Sequence, residues 1–431
     1  MKYIKRLLLD EIKKLIERKE IIAIRGPRQS GKTTLLKMLI EWIKAEKHVN
    51  EDHIVFVTFE DRDELDSFSQ NPKDFILQYI KDNSKHYILI DEAQYCPEVG
   101  QKLKFIYDIF ENIKLIITGS SSLELKNNTA EFLVGRIFEF ELMPLNFYEY
   151  LNYYDEGLAN MFKLWNDKII SLIFENNDFN IKIEKEIFVG RLLKHLNNFM
   201  LFGGYPGVVI AKSNEEKLIV FKNLVNTYID KDIVSFLHIS DTIKFRKLVT
   251  AIAAADGSML NLEQLSNEIG TYFKELNKLM DILEQTYIIR RIKPFHKNLV
   301  TELKKAQKIY FVDTGLRNYL IENFSDLEKR PDIGALSENF VCNELSMYAT
   351  NIHLHFWRTT AKTEVDFVAS KKNIIPIEVK FQNFPNYKIN MSFYSFLNQY
   401  MPNNSIIINK NFWGEKIYKK SKIKFVPIVY I

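Results

Sequence analysis

The sequence predicts an α/β fold built on a mainly parallel sheet, and three observations predict it. A short β-branched run, Ile21-Ile22-Ala23-Ile24, leads into Gly26-Pro27-Arg28-Gln29-Ser30-Gly31-Lys32-Thr33, which fits the pattern G-x-x-x-x-G-K-[ST] at every fixed position. Leu35, Leu36, Leu39, Ile40 and Ile43 follow at helical spacing. Further on, the apolar run Tyr87-Ile88-Leu89-Ile90 ends in Asp91-Glu92, and strand-like and helix-like stretches alternate up to residue 143. Such alternation places helices on both faces of a parallel sheet, with a ligand at the carboxyl ends of the strands.

Composition bounds the rest. At 431 residues the chain exceeds one ordinary core, so several domains are expected. With 46% hydrophobic and 26% charged residues it is globular, and its net charge of +4 neither demands a nucleic-acid partner nor excludes a local basic face. Cys96 and Cys342 lack metal-type spacing, which argues against a zinc or disulfide framework and suits a reducing, cytoplasmic location. Apolar runs are strand-sized, so no membrane span or secretory signal is expected. Ile4, Leu7, Leu8, Ile12, Leu15 and Ile16 form the stripe of a first helix that packs on the core.

In the glycine loop, Gly26 and Gly31 let the backbone turn so that successive N–H groups from Gly26 to Thr34 face phosphate oxygens. Lys32 reaches the β- and γ-phosphates and the Thr33 hydroxyl takes a place on Mg²⁺. Ile54-Val55-Phe56-Val57-Thr58-Phe59 reads as the second strand, and Asn71-Pro72 opens a helix. Asp91 is expected to hold Mg²⁺ through water while Glu92 orients the attacking water. Leu115-Ile116-Ile117-Thr118 runs into Gly119-Ser120-Ser121-Ser122, where Thr118, Ser120 or Ser121 either senses the γ-phosphate or caps a helix. Gly135-Arg136 precedes a fifth strand, Ile137-Phe138-Glu139-Phe140. Arg136 either stabilises transferring phosphate charge, in its own or a neighbouring subunit, or serves a structural salt bridge, the preferred reading.

Residues 144–240 read as a helical lid or linker, interrupted by the turn Gly203-Gly204-Tyr205-Pro206-Gly207. Residues 241–313 read as three helices and a two-stranded wing, a winged helix whose third helix shows Lys274, Asn277 and Lys278. Contact with DNA and a purely interdomain or protein-contact role stand level for it. Residues 314–431 carry a second chemical signal: Glu338 on a helix, Asp366 at one strand, and Glu378-Val379-Lys380 on the next, with Glu378 and Lys380 on one face. Carboxylates around a divalent cation (Mg²⁺ or Mn²⁺, with Glu338, Asp366 and Glu378 as ligands) plus Lys380 suit phosphodiester hydrolysis.

Both signals together resemble a prokaryotic group of AAA+-type, archaeal-ATPase-like P-loop ATPases. These carry a winged helix and a C-terminal domain similar to restriction-endonuclease-like (PD-D/E-x-K) nucleases. The resemblance covers nearly the whole chain. It is carried by the phosphate loop through Thr34, Leu89-Ile90-Asp91-Glu92-Ala93-Gln94, Thr118-Gly119-Ser120-Ser121, Gly135-Arg136, Gly203-Gly204-Tyr205-Pro206, Tyr310-Phe311-Val312-Asp313-Thr314-Gly315-Leu316, Glu364-Val365-Asp366-Phe367 and Pro376-Ile377-Glu378-Val379-Lys380. It implies a P-loop ATPase domain over 1–143, binding and hydrolysis of ATP, and an ancestral nuclease site. ATP over GTP comes from the resemblance, since no residue here reads the base. Hydroxyl residues replace the usual sensor asparagine, and no second-sensor arginine stands out, so oligomeric assembly stays open.

The leading expectation is an Mg²⁺-dependent ATPase whose nucleotide state controls a DNA-facing C-terminal half with a metal-dependent nuclease site. The competing expectation is a nucleotide-switched regulatory or binding module with an inactive nuclease fold. An ATP-independent DNA-binding protein fits poorly with intact Lys32, Thr33, Asp91 and Glu92.

Overall fold

The computed structural model describes residues 3–119, 132–181, 188–227, 242–295, 306–348, 353–370, 373–383 and 389–431. It divides into two units: Met1–Leu145 with Gln285–Ile288, and Asn146–Glu284 with Ile289–Ile431.

The first unit is a five-stranded sheet of β1 (Ile21–Arg25), β2 (Ile54–Thr58), β3 (His86–Asp91), β4 (Ile113–Gly119) and β5 (Ile137–Glu141) in the order β2-β3-β4-β1-β5. All its pairings are parallel. Side chains alternate along a strand, so each strand serves two cores. Ile21, Ala23, Ile88, Ile90, Leu115 and Ile117 join one core, with Phe68, Phe75, Leu103 and Ile106 from the covering helices. Ile22, Ile24, Tyr87, Leu89 and Ile116 join the other, with Leu35, Leu36, Leu39 and Ile43 of the helix Lys32–Lys47. Leu9, Ile12 and Ile16 of the first helix also lie in that second core, the burial its stripe predicts. Lys114 is buried on β4 and donates to the carbonyls of Leu15 (3.2 Å) and Arg18 (2.8 Å), which satisfies backbone acceptors at the end of that helix.

The second unit begins with helices Phe147–Tyr154, Glu156–Glu175, Val189–Phe202, Pro206–Ile210 and Asn214–Leu224. Gly203, at φ +68°, turns the chain beside the start of the helix Thr314–Leu320. A Cβ there would lie 2.2 Å from Asp313 Oδ1, and one on Gly315 would lie 2.2 Å from the Phe202 carbonyl oxygen. The two glycine motifs therefore close on each other, with the Gly204 N–H donating to Asp313 at 2.7 Å.

Helices Thr242–Ala254, Leu262–Ile269 and Phe273–Gln285 precede an antiparallel pair, β6 (Ile289–Pro294) and β7 (Lys308–Phe311). That pair does not end as a free hairpin. β6 also pairs in parallel with β8 (His353–Arg358), through Lys293 and His355. With β9 (Glu364–Ser370), β10 (Ile374–Lys380), β11 (Asn404–Asn409), β12 (Gly414–Tyr418) and β13 (Ser421–Pro427), it forms one mixed sheet in the order β12-β13-β11-β10-β9-β8-β6-β7. The sequence divides residues 241–313 from 314–431, and this sheet runs through both segments.

Candidate functional site

Parallel pairing brings the carboxyl ends of β1, β3 and β4 to one edge. Gly31, at φ +98°, caps the helix Lys32–Lys47, so the helix N-terminus opens onto the loop. Gly26 is held at φ +153° with its Cα against the Leu142 carbonyl; a Cβ there would stand 2.1 Å from that oxygen. Lys32 is buried and its ammonium donates to the carbonyls of Gly26 and Pro27, both at 3.1 Å. Ser30 is fully buried, and its hydroxyl has no hydrogen-bond partner among the described residues.

Asp91 sits at the end of β3 and is shared. Its Oδ2 accepts from the Thr33 hydroxyl at 2.6 Å and its Oδ1 accepts from Thr118. The Thr118 hydroxyl in turn accepts from the Glu92 N–H at 3.0 Å, and Gln94 donates its amide to the Glu92 carboxylate. Glu92 lies in the left-handed region at φ +54°, so this bond holds a conformation that a glutamate rarely adopts. One hydrogen-bonded chain therefore joins Thr33, Asp91, Thr118 and Glu92. Thr118 acts here through its neighbours; Ser120 and Ser121 lie outside the described residues. Arg28 is half-buried, 3.7 Å from Glu60, while Gln29 and Thr34 are exposed.

Arg136 is not brought to the loop. It precedes β5, whose Ile137 pairs with Ile21 at the opposite end of β1, and it bonds Asp108 at 3.1 Å. A glycine-arginine pair carries no mark of which strand end it occupies, and the parallel register decides it. Arg6 gave no sequence signal at all, yet its buried guanidinium donates to the Ser30 carbonyl at 2.8 Å and the Met143 carbonyl at 2.6 Å. It ties the N-terminal helix to the phosphate loop.

The second unit gathers Asp366, Glu378 and Lys380, all on adjacent β9 and β10. Lys380 Nζ lies 2.8 Å from Glu378 and 3.6 Å from Asp366. Asp366 accepts from the Val379 N–H at 2.8 Å, and Glu378 Oε1 accepts from Asn390 at 2.6 Å. Glu378 Oε2 is buried with no hydrogen-bond partner among the described residues. Burial, then the Asp366 charge, pushes Glu378 up to about 7 and Glu338 up to about 8. Burial alone would lower the Lys380 ammonium, but Asp366 and Glu378 raise it. Glu338 is turned toward Lys308 (3.4 Å) and Tyr310 (3.2 Å), neither foreseen in the sequence.

Among the described residues, three ligand atoms come within 4.8 Å of one another only at His53, Asp82 and His86. His86 is committed there. Its Nε2 accepts from the Lys81 N–H (3.2 Å), so its Nδ1 carries the proton and donates to the Ser84 carbonyl (2.9 Å).

Comparison with known proteins places the first unit. Residues 18–151 match the family model described as AAA domain. That match, with the five-stranded parallel sheet, supports a P-loop ATPase fold here and nucleotide binding and hydrolysis by it. Residues 193–327 and 333–431 match two domains of unknown function, DUF8612 and DUF4143. Relatives along most of the chain are an uncharacterized Methanocaldococcus jannaschii protein (26% identity, 86% of this chain and 76% of that one) and an uncharacterized Haemophilus influenzae protein (24%, 84% and 82%). The chain is also similar to the Aeropyrum pernix ORC2 protein in its ADP form, at 12% identity and a TM-score of 0.34 over 81% of this chain and 96% of that one. Among the described residues no helix is long and apolar enough to cross a membrane.

Proposed function

We propose that the chain binds and hydrolyses Mg²⁺-ATP at the phosphate loop. One observation carries the reading: the bonded chain Thr33–Asp91–Thr118–Glu92 lies beside the loop at the carboxyl edge of the sheet. The residues fit the ligand. Ser30 offers a buried hydroxyl without a hydrogen-bond partner among the described residues, Gly26 leaves no room for a side chain, and Lys32 donates to the carbonyls of Gly26 and Pro27. Magnesium, when bound, supplies charge on the terminal phosphate oxygens. Thr33 and Asp91 would hold it, Lys32 and the loop amides would orient the phosphates, and Glu92 would take the proton of the attacking water. Calorimetry with Mg²⁺-ATP tests this: heat of binding in the native chain and none with Lys32→Ala is expected. Undiminished turnover in that variant overturns it.

A second reading concerns the other unit, where residues 144–240 would act as a lid, 241–313 as a winged helix and 314–431 as a nuclease-like domain under nucleotide control. It is favoured by Glu378 Oε2, a buried carboxylate oxygen without a partner beside Asp366. A divalent cation there supplies a polarised water and charge for a departing oxygen. Asp366 and Glu378 would hold it and Lys380 would face the phosphodiester. A DNA face would use exposed Lys274 and Lys278, on a helix that also bears Glu275 and Asp281. Incubation with DNA or RNA, Mn²⁺ and ATP, beside Asp366→Ala, tests cleavage. Products that the variant fails to diminish leave the competing role, a nucleotide-switched binding module on an inactive nuclease fold.

A further inference from the structure

We infer that Lys308 is the built-in counter-ion of the acid cluster and that it confines the cluster to one divalent cation, held by Asp366 and Glu378 without Glu338. The inference rests on the cation-binding reading above and adds which acids do the binding.

Four carboxylates converge here: Glu338, Glu364, Asp366 and Glu378. Their partners sort them into two halves. Lys308 Nζ lies 2.5 Å from Glu364 and 3.4 Å from Glu338. Arg358 lies 3.0 Å from the other oxygen of Glu364, and the Tyr310 hydroxyl donates to the same Glu338 oxygen that Lys308 meets. Two acids are thus matched by two cations. In the other half, Asp366 and Glu378 share the single ammonium of Lys380. That half has one ion-paired ammonium for two carboxyl groups, and it is the half with the unpartnered carboxylate oxygen. Burying charge without a partner is costly, so this half is where an added cation is stabilised most.

Exposure separates the two lysines as well. The Lys380 side chain is 35% exposed and can swing toward solvent or a phosphodiester when a cation arrives. The Lys308 side chain is 4% exposed and also lies 5.8 Å from the ring centroid of Phe356. It has no route out, so it stays and repels any cation that would draw on Glu338. Lys308 opens β7, so the strand pair that follows the three helices supplies part of the acid cluster. This explains why a reading confined to residues 314–431 lacks it.

Mn²⁺ binding to the full chain without nucleotide, measured by calorimetry and by the electron paramagnetic resonance of free Mn²⁺, tests the inference. The expected result is one Mn²⁺ that Asp366→Asn removes, weakened by about tenfold or more. Glu338→Gln should leave that affinity within about threefold, since it removes no ligand. Lys308→Met should tighten binding by about tenfold or admit a second Mn²⁺, because it removes a buried like charge and leaves Glu338 without its ion pair. Glu338→Gln as damaging as Asp366→Asn overturns the inference and leaves the cation site standing. No Mn²⁺ that Asp366→Asn removes overturns the cation site itself, and the role of Lys308 with it. Should Lys308→Met fail to fold, Glu338→Gln decides alone, because glutamine keeps the volume of the side chain.

Discussion

The two units hold lysine and carboxylate side chains in opposite arrangements. At the phosphate loop, the Lys32 ammonium rests on the neutral carbonyls of Gly26 and Pro27, while Asp91 is met by the hydroxyls of Thr33 and Thr118. In the acid cluster, Lys308 and Lys380 are embedded directly among Glu338, Glu364, Asp366 and Glu378. The loop places an ammonium on carbonyl oxygens at a helix N-terminus, and so suits an anion. The cluster spends its ammonium groups on its own acids, is left short of positive charge, and so suits a cation. Residue types alone do not separate these cases; partners do.

The largest expected effect breaks the comparison at the loop. Glu92→Gln should lower ATP turnover by about 10²–10⁴-fold, since it removes a general base. Mg²⁺-ATP affinity should hold, because the backbone bond to Thr118 remains. A steady-state rate set against a calorimetric Kd separates the two. Loss of binding together with rate would mean that Glu92 shapes the loop and does no proton transfer. The Mn²⁺ site of the other unit should be untouched by this variant.

What the sequence revealed divides along the same line. The phosphate loop and the Asp91-Glu92 strand end are written in contiguous residues, so spacing alone carried the first unit's fold and core. The acids of β9 and β10 were also readable, because alternation along a strand fixes which residues share a face. Arg6 and Lys308 were not readable. Each acts on residues far along the chain, Arg6 on Ser30 and Met143, Lys308 on Glu338 and Glu364, and nothing local marks them. The two readings of Arg136 were not separable for a related reason, since a motif near a strand does not say which end of the sheet it serves; its ion pair with Asp108 matches the preferred one. Thr118 was legible as a hydroxyl beside the site, but its bonds to Asp91 and Glu92 depend on the pairing of β3 with β4.

A smaller effect sharpens the loop's half of the comparison. Arg6→Ala removes two charge-assisted bonds to loop-side carbonyls, each worth about 1.5–3 kcal/mol. Part of that loss should appear as nucleotide affinity, because the loop must then be ordered on binding. We expect Mg²⁺-ATP to bind about tenfold more weakly, a change of about 1.4 kcal/mol, with turnover of the bound complex little altered. Arg6→Lys should recover only part, since a lysine lacks the fork that reaches both carbonyls.

The smallest expected effect distinguishes the units by the sign of their response to acid. In the second unit, burial raises Asp256 and Asp313 from 3.8 to about 6, against Arg317 and Asn339 for the first and the Gly204, Leu316 and Gly315 amides for the second. The native chain then holds protons that the unfolded chain has released between pH 4 and 6. The contribution of these two groups should fall as pH rises through that window and level off above it, by at most about 3 kcal/mol per group for a shift of roughly two units. Glu378 and Glu338, raised to about 7 and about 8, extend the fall of this unit to higher pH. Burial opposes the low value of Asp332, but Arg330 and Arg317 hold it down, so its opposite contribution is lost only below its unfolded value of 3.8. In the first unit, hydrogen bonding to Arg18 lowers Glu20 to about 2, and bonding to Lys47 and Lys85 lowers Glu17. Those acids stabilise above 4.5 and lose their contribution as pH falls, weakly, because they face water. Calorimetric melting should therefore show the second unit's transition falling as pH rises from about 4 to 7, and the first unit's falling as pH drops from 4.5 toward 2. Asp256→Asn should flatten the slope of the second unit alone; an unchanged slope would mean that the buried carboxyl keeps the same proton count folded and unfolded.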